Sequence, residues 1–314
     1  MKQITDTILM VRPVQFRLNE ETAVNNYYQD QQFHKEIKNA DANQRAQEEF
    51  DAFAKALQDH NINVIIVQDD NKHDTPDSVF PNNWLSTHEN GTAVLYPMFA
   101  PNRRLERRPE VLEALEENDF VIEDVMDYTS AEDEGIFLEG TGSLLLDRAN
   151  DVAYCSISPR ADEDLFIEFC EDFEYTPVVF TAYQNVGDAR LPIYHTNVMM
   201  ALGEEYAVIC LDAIDSKAEV KNVLHHLKRT NKEIINITEA QVESFAGNMI
   251  QVKNNEGKKF LVMSNQAYES LTEAQINKLR KYNEIIHPDI KTIETLGGGS
   301  VRCMMAEVFL PRKV

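Results

Sequence analysis

The chain has 314 residues, 43% of them hydrophobic, with 30 lysines and arginines against 53 aspartates and glutamates, a formal charge of −23. That apolar content is ample for a core, while the negative balance argues against nucleic acid, whose backbone is bound by cations. The four cysteines lack CxxC spacing, which sets aside a disulfide framework or zinc knuckle, and with no basic-then-apolar leader and no apolar run near the roughly 20 residues of a bilayer span the chain reads as cytoplasmic, without a membrane partner.

Ile8-Leu9-Met10-Val11 reads as a buried strand stopped by Arg12-Pro13, because proline cannot continue a central ladder. Asn19 to Ala42 is polar and reads as a loop or irregular helical excursion. From Asn43 to His60 the apolar Ala46, Phe50, Phe53, Ala54 and Leu57 recur at helical spacing, and Ile62 to Val67 follows as a strand. Arg103-Arg104 with Arg107-Arg108 opens a predicted helix among glutamates and reads as a solvated face.

From Asn83 onward the elements repeat. Asn83-Trp84-Leu85-Ser86, Ser143-Leu144-Leu145-Leu146, Asn197-Val198-Met199-Met200, Asn248-Met249-Ile250-Gln251 and Ser300-Val301-Arg302-Cys303 each place a small polar residue before an extended run. The interval is about fifty to sixty residues, the signature of a repeated supersecondary unit. After Asn83 come a turn at Glu89-Asn90-Gly91, a strand Ala93 to Tyr96, a helix from Leu105 to Glu117 and a strand Phe120 to Val125. After Asn197 come a strand Tyr206 to Leu211, a helix Ser216 to Arg229 and a strand Glu233 to Ile237; after Asn248, a strand Lys259 to Met263, a helix Thr272 to Tyr282 and a strand Glu284 to His287. Ser216 with Glu219 and Thr272 with Gln275 fit the capping box. The predicted fold is thus α/β, one domain over residues 1–314 of ββαβ units, in which the N-terminal segment completes the unit that the C-terminus begins. Arranged as a ring, five such units aim their opening polar residues at a central cavity; an open sheet without closure is the alternative.

Three residues at these openings carry chemistry. Glu139 follows Ile136-Phe137-Leu138, an unusual place for a carboxylate unless it is paired or faces a cavity. His195 opens Tyr194-His195-Thr196-Asn197, and Cys303 ends Gly297-Gly298-Gly299-Ser300-Val301-Arg302-Cys303. Alone, the last stretch also reads as a glycine-rich turn with a thiol packed as a small hydrophobe. A thiol, an imidazole and a carboxylate at equivalent points of three repeats follow the logic of a nucleophilic triad. Asp77 is a second carboxylate, with a turn aspartate as its bland reading. Neither metal nor nucleotide motifs occur, so no cofactor is expected; Cys155, Cys170 and Cys210 read as core residues.

Taken together, Val11-Arg12-Pro13, Asp77-Ser78-Val79-Phe80, Phe137-Leu138-Glu139-Gly140, Ser156-Ile157-Ser158-Pro159-Arg160, His195-Thr196-Asn197 and Gly298-Gly299-Ser300-Val301-Arg302-Cys303 resemble the guanidino-group-modifying, or amidinotransferase, superfamily. Pro81-Asn82-Asn83-Trp84 and Leu138-Glu139-Gly140-Thr141-Gly142-Ser143 are most similar to its citrulline-utilisation hydrolases. The resemblance implies a five-bladed α/β propeller (pentein). It also implies that Cys303 attacks the guanidino or ureido carbon, that His195 moves protons, that Glu139 and Asp77 hold substrate nitrogens, and that Arg160 holds the α-carboxylate. Where arginine deiminases carry Glu-Gly-Gly-Asp this chain has Glu139-Gly140-Thr141-Gly142, and Asn197 replaces an aspartate. Both changes remove negative charge, and a neutral amide both donates and accepts, so the expected substrate is citrulline, hydrolysed to ornithine, carbon dioxide and ammonia. Arginine deimination or amidino transfer, and a non-catalytic amino-acid-binding propeller, are the alternatives. The partner is a small guanidino or ureido amino acid; the oligomeric state is left open, a homodimer included.

Overall fold

Five three-stranded sheets repeat one connectivity in the computed structural model, which describes residues 1–313. In each, two antiparallel strands are followed by a helical crossover to a third strand parallel to the second. Parallel neighbours cannot be joined by a tight turn, so the helix belongs to the topology. Four sheets run consecutively: Leu85–Thr87, Thr92–Leu95 and Asp124–Asp127; Leu144–Asp147, Val152–Ser156 and Thr176–Phe180; Met200–Leu202, Tyr206–Ile209 and Glu233–Asn236; Ile250–Lys253, Lys259–Val262 and Glu284–Ile286. The fifth joins the two ends of the chain. Ala306–Glu307 pairs antiparallel with Thr7–Arg12, which pairs in parallel with Asn63–Gln68.

Each crossover helix lays one apolar face on its sheets. In the helix Asn39–Asp59, Ala46, Phe50, Phe53 and Leu57 are fully buried and share a core with Ile8 and Met10 of the neighbouring strand; full burial of one such phenylalanine stabilises by about 1.5–3 kcal/mol. First strands of successive sheets touch: Ala306–Glu307 lies against Leu85–Thr87, Leu144–Asp147 against Met200–Leu202, and the latter against Ile250–Lys253. Cys155, Cys170 and Cys210 are buried, and all four cysteines are free thiols.

Several sequence expectations shift. The helix expected over Leu105 to Glu117 starts only at Pro109, because the residue before a proline is disfavoured in helical conformation, and a separate short helix, Pro101–Arg104, precedes it. The strand expected from Phe120 begins instead at Asp124; Phe120 forms an isolated bridge with Arg312. The polar Asn19 to Ala42 stretch contains the helix Gln31–Glu36 and the start of the helix at Asn39. Thr272 and Gln275 form the expected reciprocal box, but Glu219 turns away from Ser216 to accept from the Thr181 N–H. The arginine run is no solvated face. Arg103 is 2% exposed, and its guanidinium donates twice to Glu106, also buried. A further hairpin, Tyr183–Val186 with Ala189–Pro192, turns at Gly187 and leads the chain to Tyr194-His195.

Candidate active site

The polar residues that open the repeats sit just ahead of the first strands. Asn83 ends a short helical turn before Leu85, Glu139 caps the turn Gly140–Ser143, His195 caps the turn Thr196–Met199, Asn248 immediately precedes the strand starting at Ile250, and Cys303 lies between the helix Lys291–Gly297 and Ala306. A turn at each of these points brings the polar side chains of five sheets together. Gly140 sits at φ +42°, and a Cβ there would lie 2.4 Å from the Asn82 carbonyl oxygen. A Cβ on Gly142 would lie 2.8 Å from His195 Nδ1, so the imidazole requires glycine beside it.

His195 Nε2 lies 2.7 Å from Glu139 Oε2, and both residues are buried. The other oxygen, Oε1, accepts the Phe99 N–H at 3.0 Å. Burial alone would raise the Glu139 carboxyl, but Arg160, whose Nη1 is 3.5 Å away, His195 and Arg103 overcome that penalty and bring it down to about 2. Burial lowers the His195 imidazole to about 4 against the opposing pull of Glu139. At neutral pH the pair is therefore an ionised carboxylate and a neutral imidazole. An ionised carboxylate only accepts, which places the imidazole proton on Nε2 and leaves the lone pair on Nδ1, a buried atom without a protein partner. That atom is the free acceptor of the pair. On acidification both groups act in one direction: the Glu139 contribution to stability is present above its unfolded pKa and lost toward pH 2, and below pH ~6.5 the unfolded state takes a proton that His195 refuses. Activity that depends on the free Nδ1 lone pair is expected to persist to about pH 4, read as the acidic limb of kcat/KM.

The thiol has its own polar cradle. Asn248 Nδ2 donates to Cys303 Sγ at 3.3 Å, and Asn197 Nδ2 lies 3.5 Å from the same sulfur. Asn248 Oδ1 in turn accepts the Arg302 N–H at 3.0 Å, which fixes the turn carrying the thiol. Two amide groups thus hold the sulfur in place. Replacing Asn248 by alanine removes the nearer donor and orphans the Arg302 N–H; kcat/KM is expected to fall about ten- to a hundredfold, the worth of a hydrogen bond to a charged group, with a matching drop in the rate of Cys303 alkylation by iodoacetamide.

A small cavity of about 10 Å³ opens onto Cys303 and His195, lined also by Asp77, Asn83, Arg103 and Arg160. Asp77 is buried; its Oδ2 accepts from Asn19 and Thr22 at 2.8 and 3.1 Å and lies 4.0 Å from Arg103, while Oδ1 has no partner. Burial raises its carboxyl against the opposing pull of Arg103. Arg160 donates through Nε to Asn25 and through Nη2 to the Thr22 carbonyl, which leaves Nη1 toward Glu139.

Of the residues expected from sequence, Cys303, His195, Asp77 and Arg160 line the cavity. Glu139 and Asn197 stand behind them, on the imidazole and on the thiol. Sequence reasoning missed Arg103 and left Asn248 without a role, although the repeat position of Asn248 was the available signal.

Residues 12–310 match the family described as N,N dimethylarginine dimethylhydrolase, eukaryotic. Among solved structures the chain is similar to ArgZ, an arginine dihydrolase from the ornithine–ammonia cycle in cyanobacteria, with a TM-score of 0.74 at 18% identity, covering 98% of this chain and 41% of that one. It is similar also to AgrE in its complex with L-arginine, with a TM-score of 0.73 at 20% identity, covering 98% of this chain and 40% of that one. Dimethylarginine dimethylaminohydrolase, as its adduct with S-methyl-L-thiocitrulline, gives 0.62 at 17% identity over 97% of this chain and 100% of the other. The chain thus spans about two-fifths of full-length ArgZ and 97% of the ArgZ N-terminal domain. No curated protein matches it in sequence. With the family match running over nearly its whole length and an α/β fold shared with these structures, the chain belongs to the N,N dimethylarginine dimethylhydrolase family, carbon–nitrogen hydrolases of the guanidino-modifying (pentein) superfamily.

Proposed function

We propose that the protein hydrolyses the ureido carbon of citrulline, giving ornithine, carbon dioxide and ammonia through a covalent Cys303 adduct, with its five sheets arranged as the blades of one propeller domain around the site. The observation that carries the substrate is the charge of the cavity wall. One carboxylate, Asp77, faces two guanidiniums, Arg103 and Arg160, while the carboxylates that balance them, Glu106 and Glu139, stand outside the lining. A neutral ureido head enters such a cavity without needing a counter-charge, whereas a guanidinium would rely on Asp77 alone, the other carboxylates being engaged by Arg103 and Arg160.

The Cys303 sulfur attacks the ureido carbon while Nδ1 of His195 takes the thiol proton. The tetrahedral species collapses as that proton passes to the departing nitrogen, leaving an acyl group on sulfur. Water then attacks, its proton going to Nδ1, and the thiol leaves; the carbamate product decomposes, so that one water in total is consumed for each ornithine, carbon dioxide and ammonia. Asp77 Oδ1 accepts an N–H of the ureido group, and Arg160 Nη1 takes the α-carboxylate.

Arginine in the same cavity is the second reading, supported by the likeness to arginine dihydrolases and by the unpartnered Asp77 Oδ1, which receives an N–H of either head group. Ammonia release measured side by side on citrulline and arginine separates the two. Turnover of citrulline at least about tenfold above arginine in kcat/KM, the effect of roughly 1.4 kcal/mol, is the expected result; the reverse order sinks the citrulline assignment and keeps the nucleophile.

A further inference from the structure

A second small cavity, of about 30 Å³, lies among the first strands of four of the sheets, behind the thiol. Its wall includes Arg148, Arg302, Gln3, Leu202, Gln251 and Glu307. Thr141 also lines it, and the Thr141 carbonyl oxygen faces Asn197 Nδ2, which touches Cys303, so this cavity is separated from the catalytic one by a single layer of residues.

Arg148 is the anomaly. It is 3% exposed, yet among the described residues no carboxylate oxygen comes within 4.0 Å of its guanidinium. Its guanidinium donates from Nη1 to the neutral ring nitrogen Nδ1 of buried His88 at 3.3 Å, faces the neutral Tyr175 hydroxyl, and has its carbon 4.2 Å from the centre of the Phe309 ring. A buried cation left this way is costly unless an anion completes it. Arg302 is paired with Glu307 at 2.9 Å. Two guanidiniums and one carboxylate leave the wall with one positive charge to be matched. We propose that this cavity binds a small planar monoanion, a carboxylate or bicarbonate, which Arg148 holds through the N–H groups it does not give to His88. Planar two-oxygen anions match a guanidinium fork, whereas a spherical halide meets only one of its edges at a time.

The test is thermal unfolding of the whole protein titrated with sodium formate and, separately, sodium bicarbonate, at an ionic strength held constant with sodium chloride. A saturable rise in Tm is expected for at least one of them; formate alone assigns a carboxylate ligand, bicarbonate alone the hydrated form of carbon dioxide, and either supports the site. Arg148→Gln is expected to weaken the response about tenfold or more, the loss of a charge-assisted hydrogen bond. Leu202→Phe fills the cavity without altering a charge and is expected to abolish the response even should Arg148→Gln fail to fold. No anion-dependent rise in the wild type, or a rise that survives Leu202→Phe undiminished, overturns the proposal.

Discussion

Glu139→Gln is expected to cost the protein roughly 10²- to 10⁴-fold in kcat and, separately, about 3–5 kcal/mol in stability. Both effects follow from one carboxylate with three partners. Its oxygens accept from the Phe99 N–H and from His195 Nε2, and its charge balances Arg160. A glutamine offers one accepting oxygen and one amide donor. If the oxygen stays with Phe99, the new N–H group faces the Nε2 proton, and the imidazole relieves the clash by moving its proton to Nδ1. The lone pair that takes the thiol proton is then gone. If the oxygen turns to His195 instead, the Phe99 N–H loses its acceptor inside the protein. In either arrangement Arg160 is left as a buried cation without its carboxylate. Steady-state kinetics and chemical denaturation of the same preparation check the two effects. A variant with wild-type kcat removes the imidazole from the proton transfers; lost kcat with wild-type stability removes Arg160 from the balance.

Cys303→Ala should abolish turnover of every substrate, a loss on the order of 10⁴-fold or more for a nucleophile that forms the covalent intermediate. Stability should change far less. The residue is 2% exposed, and removing one sulfur from a packed turn leaves a small void and two unmatched amide donors, Asn197 and Asn248, together worth about 1–3 kcal/mol. Substrate binding should survive, because Asp77, Arg103 and Arg160 remain in the wall; calorimetry with citrulline on the alanine variant reads this directly. Mass analysis of the wild-type enzyme quenched during turnover tells which nitrogen departs first, since the group left on sulfur is a bare carbamoyl in one case and carries the ornithine skeleton in the other. Turnover by the alanine variant would end the covalent mechanism.

The repeated units were legible because each opens with a small polar residue before an apolar run, and because capping residues such as Thr272 mark the helix starts. Glu139, His195 and Cys303 were legible for the same reason, as chemically distinct residues at equivalent positions. Arg103 was not. Four arginines among glutamates resemble a solvated helix face, and nothing in the local pattern says that Glu106, three residues on, is buried with Arg103. The strand Asp124–Asp127 was hidden for a related reason: it is polar and largely exposed, and the apolar Phe120-Val121-Ile122 just ahead of it carries the stronger strand signal while reaching toward Arg312. The division of labour between Asp77, which faces the cavity, and Glu139 and Asn197, which stand behind it, depends on where side chains point across sheets, and no spacing in the sequence records that.

The sheet that unites Ala306–Glu307 with Thr7–Arg12 makes the placement of the thiol depend on residues far apart in the chain. Ile8 pairs with Glu307, so this closure spans nearly the entire chain, and its entropic cost grows with the logarithm of the loop it ties. The other four sheets each close within a few tens of residues and can form while the rest of the polypeptide is still being made. The turn bearing Cys303 lies just before the strand that needs the N-terminal partner. The thiol turn is therefore tied to the longest closure among the five sheets, whereas the imidazole and the carboxylate lead into sheets that close locally.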